Sequence, residues 1–187
     1  MSQHSEAPEP AARPESVEHM IERLCAEIPD YPEPGVLFRD LTPLFADGSG
    51  FARVVDALAE AFAGQFEYIA GIEARGFLLA GALARATGAG IIPVRKEGKL
   101  PRETYRQGYQ LEYGRAVLEI HTDDVAHGSR VLVVDDILAT GGTLEATAKL
   151  LDRAGLHTAG FGLVMELTDL RGRARLGGHR VRALYRV

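Results

Sequence analysis

The chain has 187 residues, 46% of them hydrophobic and 25% charged, which is ordinary for a globular protein and enough for one domain with a substantial core. Its net charge of -5 speaks against a general nucleic-acid binder, which needs a basic face, and its single cysteine, Cys25, excludes an intrachain disulfide framework and fits a reducing compartment. No apolar run approaches the ~18 residues that span a bilayer and no basic-then-apolar leader opens the chain, so we expect a cytoplasmic protein with neither membrane nor nucleic-acid partners.

Residues 1–15, MSQHSEAPEPAARPE, are proline- and glutamate-rich and lack large aliphatics after Met1. They read as a disordered tail ahead of a single folded domain over 16–187. Helical spacing follows. Val17, Met20, Ile21, Leu24 and Ile28 share one face, with Ser16 as N-cap. Asp30–Asp40, DYPEPGVLFRD, is turn-rich through Pro32, Pro34 and Gly35. A second helix is expected from Gly50 to Ala63. Tyr68–Ile72 is a short apolar strand, E-A-R-G follows, and FLLAGALARAT reads as a buried helix. Gly90–Val94 is a further strand. Residues 95–110 are charged and show no clear period. Leu111–Tyr113 and Ala116–Ile120 read as paired strands around Gly114. Val131–Val134 is a strand, Leu144–Ala154 a helix closed by Gly155, and Thr158–Met165 and Val181–Tyr185 are strands. Strands alternating with helices give an α/β fold with a mostly parallel central sheet flanked by helices. Nearly unbroken apolar strands mean that both sheet faces are covered.

Residues 131–143, V-L-V-V-D-D-I-L-A-T-G-G-T, carry the chemistry. Asp135 and Asp136 fall at the carboxyl end of a central strand, where ligands of such sheets bind. Glycines after them let the backbone turn sharply toward a ligand. The free N–H groups of the next helix then face it with about half a positive charge from the helix dipole. That makes a phosphate cradle, with threonine hydroxyls as added donors. The acids at its rim suit sugar hydroxyls or a hard cation such as magnesium. The two halves together describe a sugar phosphate. No G-x-x-x-x-G-K-[ST] or strand-borne G-x-G-x-x-G competes, and the spacing is not that of an EF-hand. The bland alternative is a strand ending in solvated acids before a glycine turn.

This segment resembles the phosphoribosyl-pyrophosphate signature of type I phosphoribosyltransferases, with the adenine-specific family as the nearest match. DYPEPGVLFRD resembles that family's base-binding segment, here 28–42. GIEARGF resembles its pyrophosphate loop. VRKEGKLPRET and YQLEYG resemble its small mobile hood, here 95–114, and LEIHTDDVAHGSRVLVVDD resembles the run from hood to signature. The resemblance covers about residues 28–170.

It implies the type I phosphoribosyltransferase fold, a homodimer, and transfer of ribose 5-phosphate from phosphoribosyl pyrophosphate to adenine in purine salvage. Ala139, Thr140, Gly141, Gly142 and Thr143 would then hold the 5-phosphate. Asp135 and Asp136 would hold the ribose hydroxyls and stabilise positive charge on the ring. Arg75 and Gly76, with the Glu73–Ala74 peptide that is typically cis in the family, would hold pyrophosphate. Arg95, Lys96 and Lys99 form a basic window, with Lys99 in the hood and Arg95 reaching pyrophosphate. Magnesium would be held mainly by substrate oxygens, with Asp135 and Asp136 assisting partly through water. Glu112 is the expected proton-transfer group. Phe38 would stack on the purine, flanked by Leu37 and Arg39, whose backbone groups would read the adenine edge. Gly108 would loosen the hood.

Xanthine, hypoxanthine or orotate in place of adenine is one alternative. A nucleic-acid-binding regulator that keeps the pocket as a sensor is another. The six arginines from Arg171 to Arg186 would serve the second, and otherwise read as a solvated last strand.

Overall fold

The computed structural model describes residues 15–110 and 114–187. The tail expected over 1–15 therefore lies outside the described residues except for Glu15. That residue pairs with Arg23, Nε to Oε1 at 2.9 Å, and so belongs to the folded part.

Helix α1 (Val17–Leu24) starts at Ser16, whose Oγ accepts the His19 N–H at 3.2 Å, and buries Met20 and Ile21. It stops before Ile28, contrary to the sequence reading. Ile28 precedes Pro29, and a residue before proline is pushed from helical to extended backbone. It lies instead on β1 (Ala26–Pro29), which pairs antiparallel with β2 (Leu37–Asp40), Ile28 opposite Phe38. The connection turns at Asp30, whose carboxylate accepts the Gly35 N–H at 2.7 Å.

A short α2 (Thr42–Ala46) leads to α3 (Gly48–Ala61). Asp47 caps α3 by accepting the Gly50 N–H at 2.7 Å, so the helix begins two residues before the expected start. Next come β3 (Tyr68–Ile72), α4 (Gly76–Thr87), β4 (Gly90–Lys96), β5 (Thr104–Gln110), β6 (Arg115–His121), β7 (Arg130–Leu138), α5 (Gly142–Arg153), β8 (His157–Glu166) and β9 (Val181–Arg186).

The seven strands β3–β9 form one sheet in the order β5-β6-β4-β3-β7-β8-β9. Pairings around β4, β3, β7, β8 and β9 are parallel, and those of β6 with β4 and β5 are antiparallel. Alternation along β7 explains both cores. Val131 and Val133 pack toward α5, with Leu144, Leu150 and Leu151. Leu132 and Val134 pack toward α1, α3 and α4, with Ile21, Leu58, Phe62 and Leu79. All four β7 residues are fully buried, as expected for a strand covered on both faces.

Strand β5 corrects the reading of 95–110 as aperiodic. Its Tyr105 and Tyr109 face the core two pleats apart, while Arg106 and Gln110 alternate outward. Gly108 sits opposite Val117 inside this strand, and a Cβ there would stand 2.9 Å from Arg115 Nη2. The Arg115 guanidinium packs over it. The strand expected at Leu111–Tyr113, with Glu112 in it, lies outside the described residues.

Candidate active site

Asp135 and Asp136 sit within β7, which continues to Leu138, and not at its last residue as the sequence suggested. What ends there is a neighbour. The pairing of β3 with β7 stops at Gly71 opposite Val134, while β8 continues beside β7 past Asp135 and Asp136 to Leu138. The gap left by β3 takes the start of α4. A Cβ on Gly76 would lie 2.7 Å from the Val134 carbonyl oxygen and 3.3 Å from Asp135 Oδ1, so only a glycine lets α4 seat there.

That seating brings Arg75 to Asp136, with Nε 2.6 Å from Oδ2. The N–H does not line up with that oxygen, which is buried and accepts no hydrogen bond among the described residues. Asp136 N–H donates to Asp135 Oδ1 at 2.9 Å. Burial first, and the Asp136 charge second, push the Asp135 carboxyl well above its usual range. Two adjacent acids in one half-closed place are costly to ionise together.

Gly141 adopts φ +79° as the residue before α5, and among the described residues no side chain caps the helix. The N–H groups of Gly142, Thr143 and Leu144 have no carbonyl partner within the helix, because they belong to its first turn. Asp135, Ala139, Thr140, Gly141, Gly142 and Thr143 line one shallow pocket over these donors. This is a geometry for a phosphate beside a carboxylate.

The expected basic window converges on one acid. The Glu73–Ala74 peptide is cis. Glu73 Oε2 accepts the Lys96 N–H at 3.0 Å and lies 3.4 Å from Arg95 Nε, and its Oε1 is 3.7 Å from Lys99 Nζ. Burial works to raise the Glu73 pKa, but the Lys96 N–H and the Arg95 and Lys99 charges outweigh it and hold the carboxyl below the usual glutamate range. Lys96 itself contributes backbone, and its side chain is exposed. Glu73 and Arg75 stand on the loop after β3 and Lys99 on the loop after β4, whereas Arg95 lies inside β4, which runs two residues past the expected end at Val94.

Glu119 on β6 was missed. It is fully buried, and its Oε1 accepts the Lys99 and Leu100 N–H groups, each at 2.9 Å. Burial pushes its pKa up, yet the N–H groups of Leu100, Lys99 and Gly98 together with Arg106 hold it below the usual range. This carboxylate shapes the turn that carries Lys99. The only sequence signal is one acid inside the apolar run V-L-E-I.

Leu37, Phe38 and Arg39 lie on β2. Phe38 is half-buried and meets Tyr31 edge-on, with ring centroids 5.2 Å apart, while Arg39 pairs with Glu27. Leu37 is exposed. The end of this strand approaches the acidic site. The Thr42 hydroxyl and N–H bond Asp40 at 2.6 and 2.9 Å and lower its pKa, and the Arg75 charge lowers it further. Among the described residues no group of three or more His, Cys, Asp or Glu is placed to hold a metal ion.

Residues 47–176 match the phosphoribosyl transferase domain family. An adenine phosphoribosyltransferase of Renibacterium salmoninarum is 60% identical over 187 residues, covering all of both chains. One from an Arthrobacter species is 60% identical over 171 residues, covering 91% of this chain and 92% of the other. Among solved structures, the adenine phosphoribosyltransferase of Thermoanaerobacter pseudethanolicus superimposes with a TM-score of 0.87 at 45% identity, covering 92% of this chain and all of that one. The Saccharomyces cerevisiae enzyme, solved with an imino-altritol bisphosphate and adenine, gives 0.85 at 38% identity, covering 90% and 98%. By sequence and by structure, the chain belongs to the phosphoribosyl transferase family, among its adenine phosphoribosyltransferases.

Proposed function

We propose that the protein transfers the 5-phosphoribosyl group from phosphoribosyl pyrophosphate to N9 of adenine, releasing AMP and pyrophosphate, in purine salvage. One observation carries the reading. The Asp135–Asp136 pair, the uncapped start of α5 and Arg75 meet where β3 ends beside β7.

In this reading the backbone donors of residues 139–143 and the threonine hydroxyls hold the 5-phosphate. Asp135 and Asp136 bind the ribose 2- and 3-hydroxyls. Loss of pyrophosphate leaves an oxocarbenium-like ring, and carboxylates beside it stabilise that charge without moving. Arg75 grips pyrophosphate oxygens, with the Gly76 backbone close by. Arg95 and Lys99, held by Glu73 in this structure, turn to the pyrophosphate when it arrives, and the Glu73–Ala74 and Lys96 backbone frames that pocket.

Adenine stacks on Phe38, and the backbone of Leu37 and Arg39 reads its edge. A donor–acceptor pair there prefers the 6-amino group of adenine to the 6-oxo group of hypoxanthine. Glu112 takes the N9 proton. Closure of the hood, residues 95–114, excludes water from the reactive ring.

The acids fit magnesium in a limited way. The buried Asp136 Oδ2 without a hydrogen bond is a hard oxygen donor, but two adjacent carboxylates do not make a complete cage. Magnesium bound mainly through substrate oxygens, with Asp135 and Asp136 assisting, would neutralise the pyrophosphate leaving group.

A cytoplasmic protein fits the single cysteine, and no described helix is long and apolar enough to cross a membrane. A homodimer is supported by exposed Leu78 on α4 and Ile91 on β4, apolar surface that a second copy can cover. The net charge of -5 supports no nucleic-acid partner. Residues 16–187 act as one domain.

The test mixes pure protein with phosphoribosyl pyrophosphate, magnesium and adenine and follows AMP. Magnesium-dependent AMP formation is expected. Its absence would overturn the assignment.

A further inference from the structure

The connection between β8 and β9 carries four of the six arginines that the sequence reading left to solvent. Its backbone is pressed against the phosphate loop. A Cβ on Gly172 would stand 2.1 Å from the Ala139 carbonyl oxygen and 2.7 Å from the Gly141 nitrogen. A Cβ on Gly141 would in turn stand 2.4 Å from the Gly172 carbonyl oxygen. Such contacts do not occur between real atoms, so two glycines face each other where no methyl group fits.

The turn is itself held firmly. Arg173 donates from Nε to Glu166 Oε1 at 2.9 Å, from Nη2 to Oε2, and from Nη1 to the Val181 carbonyl at 3.1 Å. Glu166 is 3% exposed at the end of β8 and also accepts Arg186 Nε at 3.1 Å. Leu176 closes the turn by burying itself in the α5-side core. Arg173 and Arg186 are therefore partners of a buried carboxylate, although Arg186 keeps an exposed side chain on the last strand, as the sequence reading expected.

Arg175 behaves differently. Its side chain is 55% exposed, and its Nη1 reaches no nearer than 4.0 Å to Glu145 Oε2, a carboxylate already bound to Lys149. The same Nη1 lies 3.7 Å from where a Cβ of Gly142 would be. The guanidinium therefore hangs over the first turn of α5, where the unpaired N–H donors gather.

We propose that the turn Arg171–Leu176 is a working part of the 5-phosphate site: Gly172 fixes the shape of the 139–141 loop, Arg173 holds Gly172 in place, and Arg175 supplies a cation to the bound phosphate monoester. The inference rests on the reading of residues 139–143 as the 5-phosphate loop. A phosphate monoester carries close to two negative charges at neutral pH. Backbone dipoles offset part of this. Asp135 and Glu145 both lie close to the same helix start and oppose a bound anion, so an exposed cation at the rim has a definite task. Arginine suits it, because its fork meets phosphate oxygens in pairs. Arg175 binds phosphate directly, while Gly172 and Arg173 are positioning residues.

The test uses the full chain and compares AMP with adenosine, which differ only by the phosphate. In calorimetric titrations Arg175→Ala should weaken AMP about tenfold, the effect of losing one charge-assisted contact, and leave adenosine unchanged. Arg175→Lys should recover part of the loss. Steady-state kinetics should show a raised KM for phosphoribosyl pyrophosphate with the adenine KM unmoved. Gly172→Ala should give the same split by displacing the loop. Arg175 is exposed, so its variants decide the matter even if Gly172→Ala does not fold. Unchanged AMP affinity in Arg175→Ala, or equal losses for AMP and adenosine, would overturn the proposal. Those results leave the proposed reaction standing as long as the wild-type chain makes AMP. A wild-type chain that makes none overturns both.

Discussion

In the proposed reading, the two halves of the site are built from opposite kinds of structure. The ribose-phosphate half stands on β7, whose Val131–Val134 are fully buried between parallel neighbours, and on the helix it feeds. The base half stands on β1 and β2, a two-stranded ribbon with Ile28, Tyr31, Val36 and Leu37 exposed. A ribbon of that size is marginal by itself. The contrast follows from the ligands. Phosphate and ribose are recognised by charges and backbone dipoles whose worth depends on fixed aim, so their site is set in the core. A purine is recognised by a flat face and one edge, which a lightly held ribbon can present and release.

Replacing the charges of the rigid half should do the most damage. Asp135→Asn combined with Asp136→Asn should lower turnover by at least about 10²-fold, equivalent to about 2.7 kcal/mol, in single-turnover AMP formation. Near-normal turnover would reject the ribose role. The support beneath the hood comes next. Glu119→Ala removes the acceptor of two N–H groups that shape the Lys99 turn, and each buried unpaired donor costs about 1–3 kcal/mol. We expect roughly a tenfold fall in kcat/KM for phosphoribosyl pyrophosphate. Glu119→Gln, which keeps one carbonyl acceptor, should be milder, and equal activity of the two variants would sink this role. In the ribbon half, Phe38→Leu should raise the adenine KM by only a few-fold, since ring stacking is worth about 0.5–1.5 kcal/mol. A parallel rise in the KM for phosphoribosyl pyrophosphate would show that the halves are not separate.

The smallest effect concerns stability. Burial and Asp136 raise the Asp135 pKa in the folded state. The folded chain therefore holds that proton more tightly than the unfolded chain, whose carboxyl titrates near 3.9. This contribution to stability is complete below that value and is lost as pH rises through the raised folded pKa. Asp135→Asn removes the loss, so the variant should melt higher than wild type at neutral pH, by about 2–4 °C per kcal/mol relieved. The gap should close toward pH 4. Equal melting curves at neutral pH would show that Asp135 carries no such cost.

Much of the rigid half could be read from the sequence because its signals are local. V-L-V-V is a continuous apolar strand, and T-G-G-T directly before a helical period declares a helix start. Arg75 and Glu73 were legible for the same reason, as they follow a strand within one short motif. Elsewhere the deciding contacts are distant in sequence. Ile28 fitted the period of α1, but Pro29 beside it and pairing with Phe38 made it strand. Strand β5 hid because its buried face is only Tyr105 and Tyr109. Glu119 drew no notice inside V-L-E-I, because the Lys99 turn that closes over it lies twenty positions earlier. Gly172 gave no sign at all, since its meaning lies in Gly141, thirty-one positions earlier. Placing Asp135 and Asp136 at the strand end was slightly off. The strand that stops beside them is β3.

A rigid phosphoribosyl site joined to a separate adenine-selecting ribbon requires a strong preference among bases. Initial rates of nucleotide formation from adenine, hypoxanthine, xanthine and orotate, at one saturating level of phosphoribosyl pyrophosphate with magnesium, test it most directly. AMP should form far faster than any other nucleotide. Faster product from another base would contradict the account.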